Sequence, residues 1–191
     1  MTLKAWRLLF AILLGFAALG ALRHYAVTLL HPWPVEYGEG VNLHWARVAG
    51  AGDDLYPDIR PDRFPWVHNP YPPLPPLLVS ALENLTPDTL PFLAGRSLSL
   101  LGLALGAGAI FAWLRRRVAP GVAAVAALSW CLTPAAQEYG AMMRVDALAA
   151  GCALAAFAVT DRATRPRGFA LAAALAAAAA LCKPTLGAVA I

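Results

Sequence analysis

The chain has 191 residues, of which 60% are hydrophobic and only 14% charged, with 15 Lys and Arg against 11 Asp and Glu. A soluble domain carries nearer about a quarter charged residues, and a chain this short cannot hide so much apolar surface in one aqueous core. Lipid is therefore the expected solvent, and the net charge of +4 is spread along the chain in a way that argues against nucleic acid as a partner.

The first apolar segment runs from Leu8 to Leu30, interrupted late by Arg23 and His24. Lys4 and Arg7 before an apolar run also fit the plan of a signal peptide. The apolar character resumes beyond Arg23 and further segments follow, which favours an uncleaved first helix.

A polar interval follows, Val35-Glu36-Tyr37-Gly38-Glu39-Gly40, opening a long loop from about Pro32 to Pro91. Within it, Asn42 to Ala49 can form one amphipathic helix, ended by Gly50 and Gly52 because glycine accommodates the backbone of a helix stop. Asp53-Asp54-Leu55-Tyr56-Pro57 reads as a turn. The proline-rich stretch from Leu74 to Leu85 is too short to span and reads as a helix lying at the interface.

Four more apolar segments follow: Phe92 to Leu114 with Arg96 near its start, Val118 to Ala136, Val145 to Val159, and Phe169 to Ile191. Each approaches the roughly 20 residues that a spanning helix needs, although Val145 to Val159 is short. Cys131, Cys152 and Cys182 are odd in number, lie in apolar segments and have no CxxC spacing. Buried free thiols are the expectation, with neither a disulfide framework nor a zinc site. The expected architecture is all-α: about five transmembrane helices, with one long loop carrying interfacial helices.

Orientation follows from the arginines. Lys4 and Arg7, Arg115 to Arg117, and Arg162, Arg165 and Arg167 hold 8 of the 15 basic residues, all in short connections. Placing them in the cytoplasm leaves only Asp161 of the 11 acids on that side, and the pattern alternates correctly over five spans. The expected location is the cell membrane, multi-pass, with the N-terminus inside and the long loop outside.

Three groups of residues can carry chemistry. Glu36 and Glu39 lie three apart and share a face if the first helix continues; if it ends at Pro34, Gly38 and Gly40 set a turn that presents Glu39. Either carboxylate can act as a general base near the interface, or both can be ordinary surface acids. Arg144 and Asp146 open the fourth segment, where Asp146 can cap a helix and Arg144 can hold an anion, including a phosphate. Lys183, beside Pro184 in the fifth segment, is either a lysine reaching for the interface or a phosphate ligand. On this topology all three groups fall at the outer face.

These features in order resemble the amino-terminal part of the GT-C membrane glycosyltransferases, the group that includes protein O-mannosyltransferases and the lipid A aminoarabinose transferases. The resemblance rests on the acidic motif Glu36-Tyr37-Gly38-Glu39-Gly40, then Leu55-Tyr56-Pro57, then Tyr71-Pro72-Pro73-Leu74. It continues with Arg144-x-Asp146 and with Lys183 in a later segment. It implies an enzyme that takes a sugar from a polyprenyl-phosphate carrier and passes it to protein, lipid or glycan at the outer face.

Glu39 would be the catalytic acid, with Glu36 kept beside it because many relatives carry an Asp-Glu pair where this chain has Gly38-Glu39. Arg144 and Lys183 would hold the carrier phosphate, with Asp146 and Tyr71 supporting. No cofactor is required and no metal cluster is evident, although a loop carboxylate could bind a divalent ion. Such enzymes are longer, so the chain is expected to be the donor-side part of one. A transporter or flippase with Arg144, Asp146 and Lys183 lining a pathway is the alternative, and a noncatalytic scaffold leaves the acidic loop unexplained.

Overall fold

A computed structural model of the chain describes residues 2–58, 62 and 68–187. Parts of the expected loop (59–61 and 63–67) and the last four residues of the fifth apolar segment (188–191) lie outside the described residues. The described residues form helices joined by turns, so the chain is all-α.

Helix α1 (Leu3–Leu29) starts on Thr2, whose hydroxyl accepts from the Ala5 amide. It stops before Pro32 and Pro34, which lack the amide a continuing helix needs, so it does not carry the two glutamates on a shared extension. Glu36 instead caps a new helix, α2 (Tyr37–Ala51), from an extended backbone, and Glu39 occupies its first turn. An acid there suits the positive end of the helix dipole. This helix is longer than the segment from Asn42 to Ala49. Gly38, Gly40 and Gly50 lie inside it, and Gly52 ends it alone at φ +76°.

Helix α3 (Leu74–Glu83) carries Pro75 and Pro76 in its first turn, where a missing amide costs nothing. It folds back on α2 so closely that a side chain at Gly50 would lie 2.6 Å from the Ser80 hydroxyl. Together the two helices cover the start of α4 (Leu93–Leu114), burying Leu43, Ala46 and Val79 against Phe92, Ala94 and Met143.

The remaining helices are α5 (Pro120–Cys131), α6 (Pro134–Tyr139), α7 (Val145–Thr160), α8 (Pro166–Cys182) and the single turn α9 (Pro184–Gly187). Among the described residues, two helices are long and apolar enough to cross a membrane, α1 and α4, where five segments suggested spans. Helices α5, α7 and α8 hold 12, 16 and 17 residues, and at ~1.5 Å per residue all fall short of a ~30 Å hydrocarbon core. Proline is the physical reason in two of them. Pro134 divides the third segment into α5 and α6, and Pro184 stops α8 at Cys182. The Cys131 carbonyl at the first break is claimed by α1, whose Tyr25 hydroxyl lies 2.6 Å from it and 3.2 Å from the Ala136 oxygen within α6.

The centre of the fold is the contact between α4 and α7. A Cβ on Gly102 would lie 2.3 Å from the Leu148 backbone, and one on Gly151 would lie 2.1 Å from the Gly102 carbonyl oxygen. Gly102 of α4 faces Ala147 and Gly151 of α7, and these small residues let the two backbones touch. Trp130 of α5 fills the space over Gly106 and donates to the Leu103 carbonyl at 3.2 Å. Helix α8 closes the other side of α7 through Ala179 and Cys182. Helix α1 is apolar nearly all round and buries little beyond Ala21, Tyr25 and Thr28, leaving Leu8, Phe10, Leu13 and Phe16 exposed.

Candidate functional site

The two glutamates of the acidic motif have different surroundings. Glu39 points inward and is 0% exposed, facing Arg96 of α4, which is equally buried. Arg96 uses all five of its N–H donors: two on the Glu39 carboxylate at 2.8 and 2.9 Å, and three on the carbonyls of Thr28, His31 and Trp33. Glu39 accepts two further bonds from the amides of Met143 (2.8 Å) and Val35 (2.7 Å). One ion pair thus ties the end of α1, the start of α2, α4 and the residues before α7.

Burial alone would raise the Glu39 carboxyl, but the hydrogen bonds from Arg96, Met143 and Val35 and the Arg96 charge hold it below the ordinary glutamate range. A depressed folded-state pKa stabilises the fold above the unfolded glutamate value, about 4.3, and that stability is lost as pH falls through the lower folded value. Melting followed by tryptophan fluorescence should therefore show no Glu39-dependent change between pH 7 and 5, then a fall below about pH 4. A protein carrying Glu39→Gln should lack that acid limb.

Glu36 faces outward instead. Its carboxylate lies 2.9 Å from the Arg144 guanidinium at the N-cap of α7. Arg144 Nε lies 3.7 Å from Asp146, and Asp146 accepts a bond from Lys183, the residue at which α8 ends. The sequence-expected residues Glu36, Arg144, Asp146 and Lys183 thus form one line of alternating charge at one end of the bundle. Each member is between 22% and 36% exposed, so the line is wet at its rim and partly desolvated beneath. Glu39 is not part of it. Lys183 reaches it because the helix breaks: its backbone is extended, and Pro184 starts a separate turn.

Beneath this line lies a cavity of about 30 Å³, framed by Trp45 and Asn42 of α2, Asn69 and Tyr71 of the loop, Met143 and Arg144. Tyr71 is held there by its own carbonyl, which accepts from the Tyr56 hydroxyl at 2.9 Å, and by its amide on the Asn69 side chain. The turn around Asp54 that presents Tyr56 is closed by the Asp54 carboxylate on the Tyr56 amide. Three donors on residues lining this cavity have no hydrogen-bond partner among the described residues: Trp45 Nε1, Asn69 Nδ2 and Arg144 Nε. Buried donors are usually paired, and a space of this size beside three open ones suits an ordered water.

Gly38 adds a second constraint. A Cβ there would lie 2.7 Å from the Glu36 carboxylate and 3.0 Å from Arg144 Nη1, so only glycine leaves that ion pair undisturbed. Among the described residues no group of three or more His, Cys, Asp or Glu side chains is placed to hold a metal ion.

Sequence reasoning noticed Arg96 but gave it no role. An arginine in the first turn of an apolar helix, with an acidic motif across the loop, was the available signal. The open donors of Trp45 and Asn69 had no signal of their own, because nothing local in the sequence tells a paired amide from an unpaired one. No protein-family model, curated protein or solved structure matches the chain.

Proposed function

We propose that this chain is the donor-binding part of a membrane glycosyltransferase using a polyprenyl-phosphate sugar, with α5–α6, α7 and α8, short as they are, set in the bilayer beside α1 and α4. The observation that carries the reading is the line Glu36–Arg144–Asp146–Lys183, two cations alternating with two carboxylates at one end of the bundle. Two cations held by carboxylates at a membrane-facing end suit a phosphate that competes for them. A phosphate bound to Arg144 and Lys183 would release Glu36 from its partner, and the freed carboxylate can then take the proton of an acceptor hydroxyl as that oxygen attacks the sugar. The same cations would offset charge on the departing lipid phosphate.

The burial of Glu39 makes it a positioning residue in this scheme, and Glu36 the reacting one. The test is transfer from a polyprenyl-phosphate sugar by the protein in membranes. Glu36→Gln should lower turnover by about a hundredfold with melting unchanged, the usual scale of general-base loss. Retained turnover in Glu36→Gln would remove it from catalysis, and retained turnover in Glu39→Gln as well would sink the whole assignment.

One observation favours a second reading. The helix broken at Lys183 beside paired charges is also the device by which transporters expose backbone to a substrate. Solute accumulation in proteoliposomes without glycosyl transfer would select it.

A further inference from the structure

The opposite end of the bundle carries a feature that glycosyl transfer does not use. Arg117 and Asp161 pair there at 2.8 Å, which brings the ends of α4 and α7 together. Between these two helices runs an open groove of about 310 Å³, lined by Ala104, Gly108 and Ala112 on one wall and by Ala155, Ala158 and Arg162 on the other. Its walls are apolar up to Arg162. That side chain presents two buried N–H groups, Nε and Nη2, without a partner among the described residues. Desolvation and the neighbouring Arg116 and Arg115 push its pKa down, while Asp161, which hydrogen-bonds Arg117, acts in the opposite sense.

We propose that this groove binds one acyl chain of an acidic phospholipid, with the lipid phosphate seated on Arg162. Three observations argue for that occupant over an apolar helix. The groove ends on a cation with open donors, which a phosphate oxygen satisfies and a helix surface does not. Arg115 and Arg116 add charge of the same sign beside it. Its extent along α4, from Ala104 to Ala112, is about 12 Å at ~1.5 Å per residue, close to the depth of one leaflet of a ~30 Å core. The inference rests on the chain residing in a membrane, and on nothing about sugar transfer.

Gly108 offers a clean probe, because a side chain there meets nothing within 4 Å and would fill the groove without disturbing the helices. The experiment is native mass spectrometry of the full chain released from nanodiscs of mixed phosphatidylglycerol and phosphatidylcholine. The wild type should retain phosphatidylglycerol in preference. Arg162→Gln and Gly108→Leu should each lower the retained fraction about tenfold, the scale of one charge-assisted contact, while Arg165→Gln should leave it unchanged. Circular dichroism checks that each variant is folded. Equal retention of the two lipids, or full retention in both groove variants, overturns the proposal. So does displacement of the bound species by millimolar inorganic phosphate, which would mark a free anion site. A change in oligomeric mass in Gly108→Leu without a change in lipid would assign the groove to a second protein chain instead. Loss of glycosyl transfer leaves this readout untouched, so the two readings fail separately.

Discussion

Replacing Arg96 with methionine should cost about 3–5 kcal/mol, the penalty for leaving a buried charge without its partner. That is a large share of the roughly 5–15 kcal/mol that holds a typical fold together, so the variant should be recovered from membranes in low yield and melt far below the wild type. Arg96→Lys should fare little better. Lysine supplies three donors where arginine supplies five in a planar fork, and here all five are used.

Removing both charges is informative for the same reason. A plain buried ion pair can often be replaced by apolar residues without loss. In this protein the double change Glu39→Leu with Arg96→Met would still orphan the carbonyls of His31 and Trp33 and the amides of Val35 and Met143. Tryptophan-fluorescence melts of the single and double variants should therefore all fall well below wild type. A double variant that melts with the wild type would show that the pair is dispensable.

The second large effect is expected at the crossing of α4 and α7. Gly151→Leu places its Cβ 2.1 Å from the Gly102 carbonyl oxygen, and both neighbours there are backbone that cannot rotate away. The helices must separate, at a cost of about 3 kcal/mol or more given how overpacked cores respond. The readout is thermal melting in detergent together with protease resistance of α7. Gly108→Leu, which meets nothing within 4 Å, is the matched control and should melt like the wild type. Equal stability of the two variants would show that the close approach does not set the packing.

The sequence made the long apolar helices legible because α1 and α4 are uninterrupted and end in recognisable signals. It was less informative where proline intervenes. Pro134 sits in a segment apolar enough to read as one span, and only the supply of replacement donors, Thr133 to the Trp130 carbonyl and Tyr25 to that of Cys131, decides that a break is tolerated there. Gly102 was readable as a small residue in an apolar helix, but it carries meaning only once Gly151 is known to face it. Which glutamate is buried was beyond local reading. The answer is set by Arg96, 57 residues away in the chain, and by Met143, 104 away. By contrast Arg144, Asp146 and Lys183 stood out because charge among alanines and leucines is conspicuous wherever it falls.

The Glu39–Arg96 cluster also imposes an order on biogenesis. Its first two participants, the end of α1 and the start of α2, leave the ribosome early, Arg96 follows within α4, and the Met143 amide emerges only after α5 and α6. Until then the Glu39 carboxylate lacks one of its four donors, and the cap formed by α2 and α3 has Phe92 and Ala94 to close on but not Met143. At synthesis rates of about 5–20 residues per second, the gap between Arg96 and Met143 is a matter of seconds. During that interval Arg96 can already hold the end of α1 through the Thr28, His31 and Trp33 carbonyls, and only the bond that ties this cluster to the start of α7 is still to form.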